Sequence, residues 1–353
     1  MPIMVTSPLR LNSELISGGS KTKKVISIVV TVAIIADIVM GTGCAGVEKP
    51  PDEVTVQLRW IHQTQFAGFY AADQKGFYAE ENIDVTLKAG GPDIPLDKRL
   101  ADLIGGETTF AIVGAEEVLA TRAQGKPVVA IATIFQKNPL VYVSLKSSGI
   151  ERPQDLVGKR VMVSADGEIP HQALLKRLGI DPDTIELIPF ERSVTPLATG
   201  QIDAHMLYRT AMGLAFEEEG YEVNFIWLDD YGVHFYTDTI VASEELVQQD
   251  PELVERFLRA TLKGWYYAIE NPAEAVDMTL QYDATLDREH QVRMMETQTP
   301  LIHTGEAEIG RMEDSVWQRM HQMLLGGGVL TQPINMAGVY TTQFLNKIYG
   351  RTE

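Results

Sequence analysis

Val54-Thr-Val-Gln-Leu-Arg-Trp60, followed by Ile61-His-Gln-Thr-Gln-Phe-Ala67 and then Gly68-Phe-Tyr-Ala-Ala72, is the stretch that decides the fold. Its first seven residues carry the β-branched, alternating character of a strand. The next seven mix amides and aromatics and form a loop. Residues 68–81 then have helical spacing, with Phe69, Ala72 and Phe77 on one apolar side. Moving outward, the same strand–loop–helix unit repeats. Strands are expected at 83–88, 110–114 and 128–134, and helices at 97–104 and 116–124. Such alternation builds βα units and a mostly parallel sheet.

The pattern restarts after Pro153-Gln-Asp-Leu-Val-Gly158. Strands are expected at 160–163, 184–188, 204–207 and 223–228, with helices at 170–178, 194–199 and 213–219. From residue 244 onward the chain is mostly helical, at 251–271, 272–282, 287–298, 314–325 and 341–349. No internal repeat or low-complexity tract is visible. Two consecutive α/β blocks and a helical tail predict two lobes with a cleft. The expected division gives residues 54–138 plus 241–353 to the first lobe and 139–240 to the second. Ligands of open α/β sheets bind outside the carboxyl ends of the strands. Two lobes around a cleft are also the geometry of a hinge-closing binder.

The first fifty residues follow a different logic. Lys21, Lys23 and Lys24 precede an apolar run, residues 25–40, which ends at Gly41-Thr-Gly-Cys44. A basic patch, a short apolar run and small residues before a cleavage point make an export signal. The run is marginal for spanning roughly 30 Å of hydrocarbon, and Asp37 weakens it further. The residues ending at Cys44 resemble a bacterial lipobox, in which the cysteine thiol takes a diacylglyceryl group. Gly41 stands where a Leu is usual, and about twenty residues precede the basic patch. A single transmembrane helix with an incidental cysteine is the alternative. The expectation is a signal peptide at 1–43, lipid on Cys44, a short tether at 44–53 and a place on the outer face of the cell membrane.

Composition narrows the function. The chain has 353 residues, is 45% hydrophobic and carries a net charge of -18. That charge argues against binding nucleic acid, whose phosphates it repels. It also argues against broad docking on anionic lipid, so membrane contact needs an anchor. The single cysteine excludes an intramolecular disulfide framework and any CxxC motif. No GxGxxG follows an expected strand, and no GxxxxGK[ST], GxSxG or HExxH motif is present. Gly326-Gly-Gly328 follows a helix and has the character of a stop plus turn. The seven histidines are scattered without ligand spacing. The sequence therefore shows no assembled nucleophile, metal site or cofactor cradle, and a binder rather than an enzyme is expected.

What recurs instead is a set of polar and aromatic loops at strand ends. Candidate ligand contacts on them are Trp60, His62, Gln63, Gln65, Asp93, Glu116, Asn138, Asp166, Tyr208, Tyr231 and Tyr236, with Phe235 beside them. Aromatic faces stack on a flat ring, each good pair contributing about 0.5–1.5 kcal/mol beyond burial. Gln63, Gln65 and Asn138 offer amide donors and acceptors, and Asp93, Glu116 and Asp166 carboxylates, to the polar groups of a ligand. No arginine cluster is evident in these loops, which argues against phosphorylated ligands. Each residue also has a structural reading. Trp60 can cap the core, Gln63 and Gln65 can stabilise loop backbone, and Glu116 can complement a helix macrodipole. Asp166-Gly167 can be turn chemistry. Tyr208 and Tyr236 fall where the lobes should cross over and can pack the hinge. Glu217-Glu-Glu219 is expected to be a solvated face.

Trp60-Ile-His-Gln-Thr-Gln-Phe-Ala-Gly-Phe-Tyr-Ala-Ala72, Lys75-Gly-Phe-Tyr78, Gly90-Gly-Pro-Asp93, Val113-Gly114, Pro153-Gln-Asp-Leu-Val-Gly-Lys159 and Gly200-Gln-Ile-Asp-Ala204 together resemble the thiamine-pyrimidine-precursor-type solute-binding proteins. The resemblance covers about residues 53–280. It implies a type II periplasmic-binding fold of two lobes and a hinge. It also implies a receptor that hands its solute to the permease and ATPase of an ABC importer. The same module elsewhere serves as a solute sensor. Enzymatic eukaryotic relatives carry a cysteine-rich iron motif, which this chain lacks. Within that group, the Trp-x-His-Gln-x-Gln-Phe-Ala-Gly stretch is most similar to riboflavin-binding receptors. A thiamine precursor, formylaminopyrimidine or hydroxymethylpyrimidine, is the alternative ligand.

Overall fold

The computed structural model describes residues 49–164 and 167–351. Strands β1 (Asp52–Gln57), β2 (Ile83–Lys88), β3 (Phe110–Val113) and β4 (Val128–Phe135) are followed by β5 (Leu140–Leu145), β6 (Arg160–Val163) and β7 (Glu186–Ile188). The last three are β8 (Ala204–Tyr208), β9 (Val223–Trp227) and β10 (Thr237–Ser243). They form two five-stranded sheets, ordered β2-β1-β3-β10-β4 and β7-β6-β8-β5-β9. The chain crosses between the sheets twice, at 136–139 and at 228–236. This is the two-lobed α/β architecture expected, and residues from Pro51 onward form one compact unit.

Most expected elements are present, and the two strands that were not expected share a cause. Both unforeseen strands, β5 and β10, run antiparallel to their neighbours. Neither follows a helix, so the βα rhythm does not announce them. Each sheet is mixed as a result, with β1 parallel to β2 and β3, and β6 parallel to β7 and β8. Strand β10 starts at Thr237 and pairs with β3 and β4. Residues 237–240 therefore lie in the first sheet, ahead of the division expected at 240/241. The helix expected at 68–81 is two, Ala67–Gln74 and Phe77–Glu80, because Gly76 between them turns left-handed at φ +75°. The strand expected from residue 184 shortens to β7, preceded by a 3-10 turn at Pro182–Thr184.

Helix Pro251–Glu270 spans the first lobe. Pro251 sits at its first turn, and the Asp250 carboxylate caps it by accepting from Leu253 N at 3.0 Å. It packs on helix Ala67–Gln74 at close range, because a Cβ on Gly264 would fall on the Gly68 carbonyl. Phe257 stacks on Phe110 at 3.9 Å and on Tyr78 at 5.6 Å, filling the core beneath. The outer edge of β4 is not left open. Ala130 N donates to Val339 O and Thr133 N to Gly310 O, so the C-terminal segment covers it. Helix Arg288–Ile302 continues past Gln298, carrying Pro300 within its last turn.

Candidate functional site

The loop after β1 is held from below. The Gln291 side chain accepts from Thr64 N at 2.7 Å and from Thr64 Oγ1 at 2.8 Å, while Gln298 donates to Thr64 O at 2.7 Å. Both glutamines come from helix Arg288–Ile302. Pinned in this way, the loop presents Arg59, Trp60, Gln63 and Gln65 to a cavity between the lobes. The facing wall comes from the carboxyl ends of β6, β7 and β8: Ser164, Phe190 and Met206 to Tyr208, with Ala211 and Met212 beyond. Trp60 meets Phe190 edge-on across the cleft, ring centroids 6.4 Å apart. The enclosed space is about 70 Å³, short of the roughly 300 Å³ at which ligand pockets begin. The cleft of this structure is thus narrow.

A buried polar network forms the floor. Gln63 donates to Gln65 Oε1 at 2.7 Å, and Gln65 donates to the Asp238 carboxylate at 2.9 Å and 3.1 Å. Arg59 donates to Thr237 Oγ1 at 2.6 Å and lies 3.8 Å from both Asp238 and Glu117. Arg99 approaches the other oxygen of Glu117 at 4.0 Å. All of these charges are buried, and such charges persist only when paired and hydrogen-bonded. Asp238 holds φ +48°, an unusual conformation for a residue with a side chain. Strain of that kind clusters at functional sites.

Tyr208 ties the lobes across this floor. The Tyr208 hydroxyl lies 2.8 Å from Thr237 Oγ1, and the Arg59 guanidinium sits 5.8 Å over the Tyr208 ring. At the outer surface a second set joins helix Arg288–Ile302 to helix Met212–Glu218. His290 Nδ1 lies 2.7 Å from Glu218 Oε2, and Arg293 reaches both Glu217 and Glu218 at 3.6 Å. Arg209 donates to Glu217 at 2.8 Å. Glu217 to Glu219 are exposed as expected, and Glu217 and Glu218 are ion-pair partners as well.

Of the candidate contacts, Trp60, Gln63, Gln65 and Tyr208 line the cavity. The other described candidates are placed elsewhere. His62 is half-buried against Tyr70, its Nδ1 3.1 Å from the phenol oxygen. Burial lowers its pKa, against the raising pull of Asp283. Asp93 is exposed on its loop. Glu116 is buried against Gly114 in the first turn of helix Ala115–Ala123. Asn138 donates to Phe235 O and accepts from Leu140 N, both at 2.9 Å, so it staples one crossover to the other. Tyr231 lies half-buried in the second crossover, its carbonyl accepting from Arg177. Tyr236 is buried against Trp317, its hydroxyl accepts from Glu313 N, and burial pushes its pKa up to about 12. Phe235 is fully buried. Asp166 and Cys44 lie outside the described residues.

The sequence reading missed Arg59, Phe190, Thr237 and Asp238. It also missed that a guanidinium lines the cleft, with Arg99 behind it. One signal was present: Asp238 interrupts the β-branched run Thr237-Asp-Thr-Ile-Val241, and a carboxylate in such a run needs a buried partner. Nothing local marks Phe190, which reaches the cleft through the turn after β7.

Fold and cleft define the class: a two-lobed α/β solute-binding-protein architecture with its cavity at the strand carboxyl ends. The chain belongs to the NMT1/THI5-like family, which matches residues 63–275. Riboflavin-binding protein RibY of Chloroflexus aurantiacus is 27% identical over 83% of this chain and 86% of its own. A 4-amino-5-hydroxymethyl-2-methylpyrimidine phosphate synthase of Legionella pneumophila is also 27% identical, over 83% of this chain and 92% of its own. The formylaminopyrimidine-binding protein of Halalkalibacterium halodurans is 25% identical over 89% and 96%. Among solved structures, the alkanesulfonate-binding protein SsuA of Xanthomonas axonopodis superposes with a TM-score of 0.65 at 13% identity, over 83% of this chain and 99% of that one. That likeness extends to the fold.

Proposed function

We infer that the chain is the solute-binding component of an ABC importer and that its cleft takes a flat heteroaromatic vitamin, riboflavin as the first reading. The observation that carries this is the facing pair Trp60 and Phe190, one from each lobe, above the amides of Gln63 and Gln65. A planar ring between the two would stack on aromatic faces while the amides meet its polar edge. Capture would then favour the closed state, because only that state offers the ligand both lobes. The relative named as riboflavin-binding supports the choice of ring. The relative named as formylaminopyrimidine-binding supports the second reading, a thiamine precursor in the same cleft. Either ligand requires the lobes to part first, since the enclosed space is about 70 Å³.

Binding is favoured over catalysis by the lining itself. Among the described residues around the cavity, Ser164 is the one hydroxyl nucleophile besides the phenol of Tyr208, and no histidine lines the cavity with it. The test is to release and identify, by absorption and mass, the small molecule that co-purifies with the protein, then to titrate the emptied protein calorimetrically with riboflavin and with formylaminopyrimidine. A bound flavin and saturable heat with riboflavin are expected. Heat with the pyrimidine alone moves the assignment to the second reading, and turnover of either compound overturns the binding role.

The proposed tether is the diacylglyceryl group on Cys44, which would keep the receptor beside its permease. Among the described residues no helix is long and apolar enough to cross a membrane. A Cys44→Ser variant is expected to lose labelling by radioactive palmitate. Undiminished labelling would rule the anchor out.

A further inference from the structure

A second cavity, of about 470 Å³, opens beside the hinge and shares no lining residue with the interlobe cleft. Lys176 and Arg177 reach it from the last turn of helix Glu168–Leu178, His234 from the second crossover, and Arg319 from helix Asp314–Gly326. Among the described residues no acidic one lines it. In a chain of net charge -18 this is a local reversal of sign.

The arginines make the case. Twelve of the fifteen described arginines lie within 4.0 Å of a carboxylate, and only Arg177, Arg192 and Arg319 do not. Two of those three share this one cavity. Arg177 is held in place: its Nε donates to Tyr231 O at 2.7 Å, and its guanidinium lies over Gly232, which has no Cβ to strike it and holds φ +76°. Fixing Nε leaves the two Nη groups as a preset fork. His234 Nδ1 sits 3.2 Å from the Asp229 carboxylate, which orients the imidazole. Lys176 and Arg177 also offset the carbonyl end of their own helix. Arg319, mid-helix, has no such duty.

We propose that this cavity binds a phosphate-class oxyanion, held between the guanidinium groups of Arg177 and Arg319 with Lys176 as a further donor. Two guanidinium forks match the spread acceptors of a phosphate better than the single edge of a carboxylate. An anion there bridges the second lobe to the C-terminal helix across the hinge segment. Its source is either a soluble phosphate ester or a phospholipid headgroup.

Inorganic pyrophosphate is the probe. Thermal unfolding of the full-length protein in detergent is followed against pyrophosphate, with sodium chloride at matched ionic strength as control. The melting temperature should rise with pyrophosphate and not with chloride, because a ligand of the folded state alone stabilises it. Arg177→Gln with Arg319→Gln should abolish the rise while circular dichroism stays unchanged. Arg177→Lys with Arg319→Lys should keep the charge but weaken binding by about tenfold, since an ammonium lacks the fork. Displacement of pyrophosphate by dihexanoyl phosphatidylglycerol, and not by glycerol 3-phosphate, assigns the site to a lipid headgroup; the reverse assigns it to a soluble ester. An equal rise in wild type and the double Gln variant, or no rise in the wild type, overturns the proposal.

Discussion

His205 is fully buried on β8, in ring contact with Phe190 at 5.8 Å, and neither of its nitrogens has a hydrogen-bond partner. Burial holds its pKa near 4, and burial does the same to His171, whose Nδ1 lies 2.5 Å from the Tyr142 hydroxyl. An unfolded histidine titrates near 6.5. The unfolded chain therefore binds protons in a range where the folded chain does not, and stability falls as pH drops from about 6.5 toward 4. Each histidine accounts for roughly 3 kcal/mol of that loss. His205→Leu is expected to lose about 3 kcal/mol less than wild type between pH 7 and pH 4 in urea unfolding. Identical losses would show that His205 is not buried neutral. Residue by residue, the cleft was only partly legible. Trp60, Gln63, Gln65 and Tyr208 were found because they follow strand ends. Asn138 and Tyr236 sit on equivalent loops but turn into the hinge, for reasons set by distant partners: the Phe235 carbonyl, Trp317 and Glu313 N.

At the scale of elements, the βα rhythm was readable because β2, β3, β4, β7, β8 and β9 each follow a helix in the chain. The return strands β5 and β10 have no such herald, yet both border the site. Each stands beside a crossover, and β10 carries Thr237 and Asp238 into the cleft floor. The same scale holds a closing device, the ion pairs of Arg293 with Glu217 and Glu218 and the His290–Glu218 hydrogen bond, between helix Arg288–Ile302 and helix Met212–Glu218. Such half-exposed pairs contribute about 0.2–1 kcal/mol each. Glu218→Gln removes its Arg293 ion pair and weakens its His290 contact, so stopped-flow chase of bound ligand should show release about two- to fivefold faster. The gap from wild type should narrow in high salt, where screening has already weakened the pairs. An unchanged release rate at low salt would show that these pairs form independently of closure.

The whole molecule joins two mixed sheets by two crossovers and lays the C-terminal helices across the join. The helix Arg288–Ile302 both pins the Thr64 loop and reaches the second lobe. Opening of the cleft must therefore break contacts at its floor and at its rim together, which makes a closed state without ligand accessible and a two-state hinge the natural description. On this account the ligand acts by adding contacts that only the closed form supplies, Trp60 from one side and Phe190 from the other. The most direct test is a titration of flavin fluorescence with wild-type protein and with Trp60→Ala and Phe190→Ala. Saturable quenching is expected in the wild type, weakened by at least about tenfold in either variant, because each removes one stacking face. Quenching that is equally strong in all three proteins, or no change in fluorescence at all with the wild type, would contradict a flavin held between the two lobes.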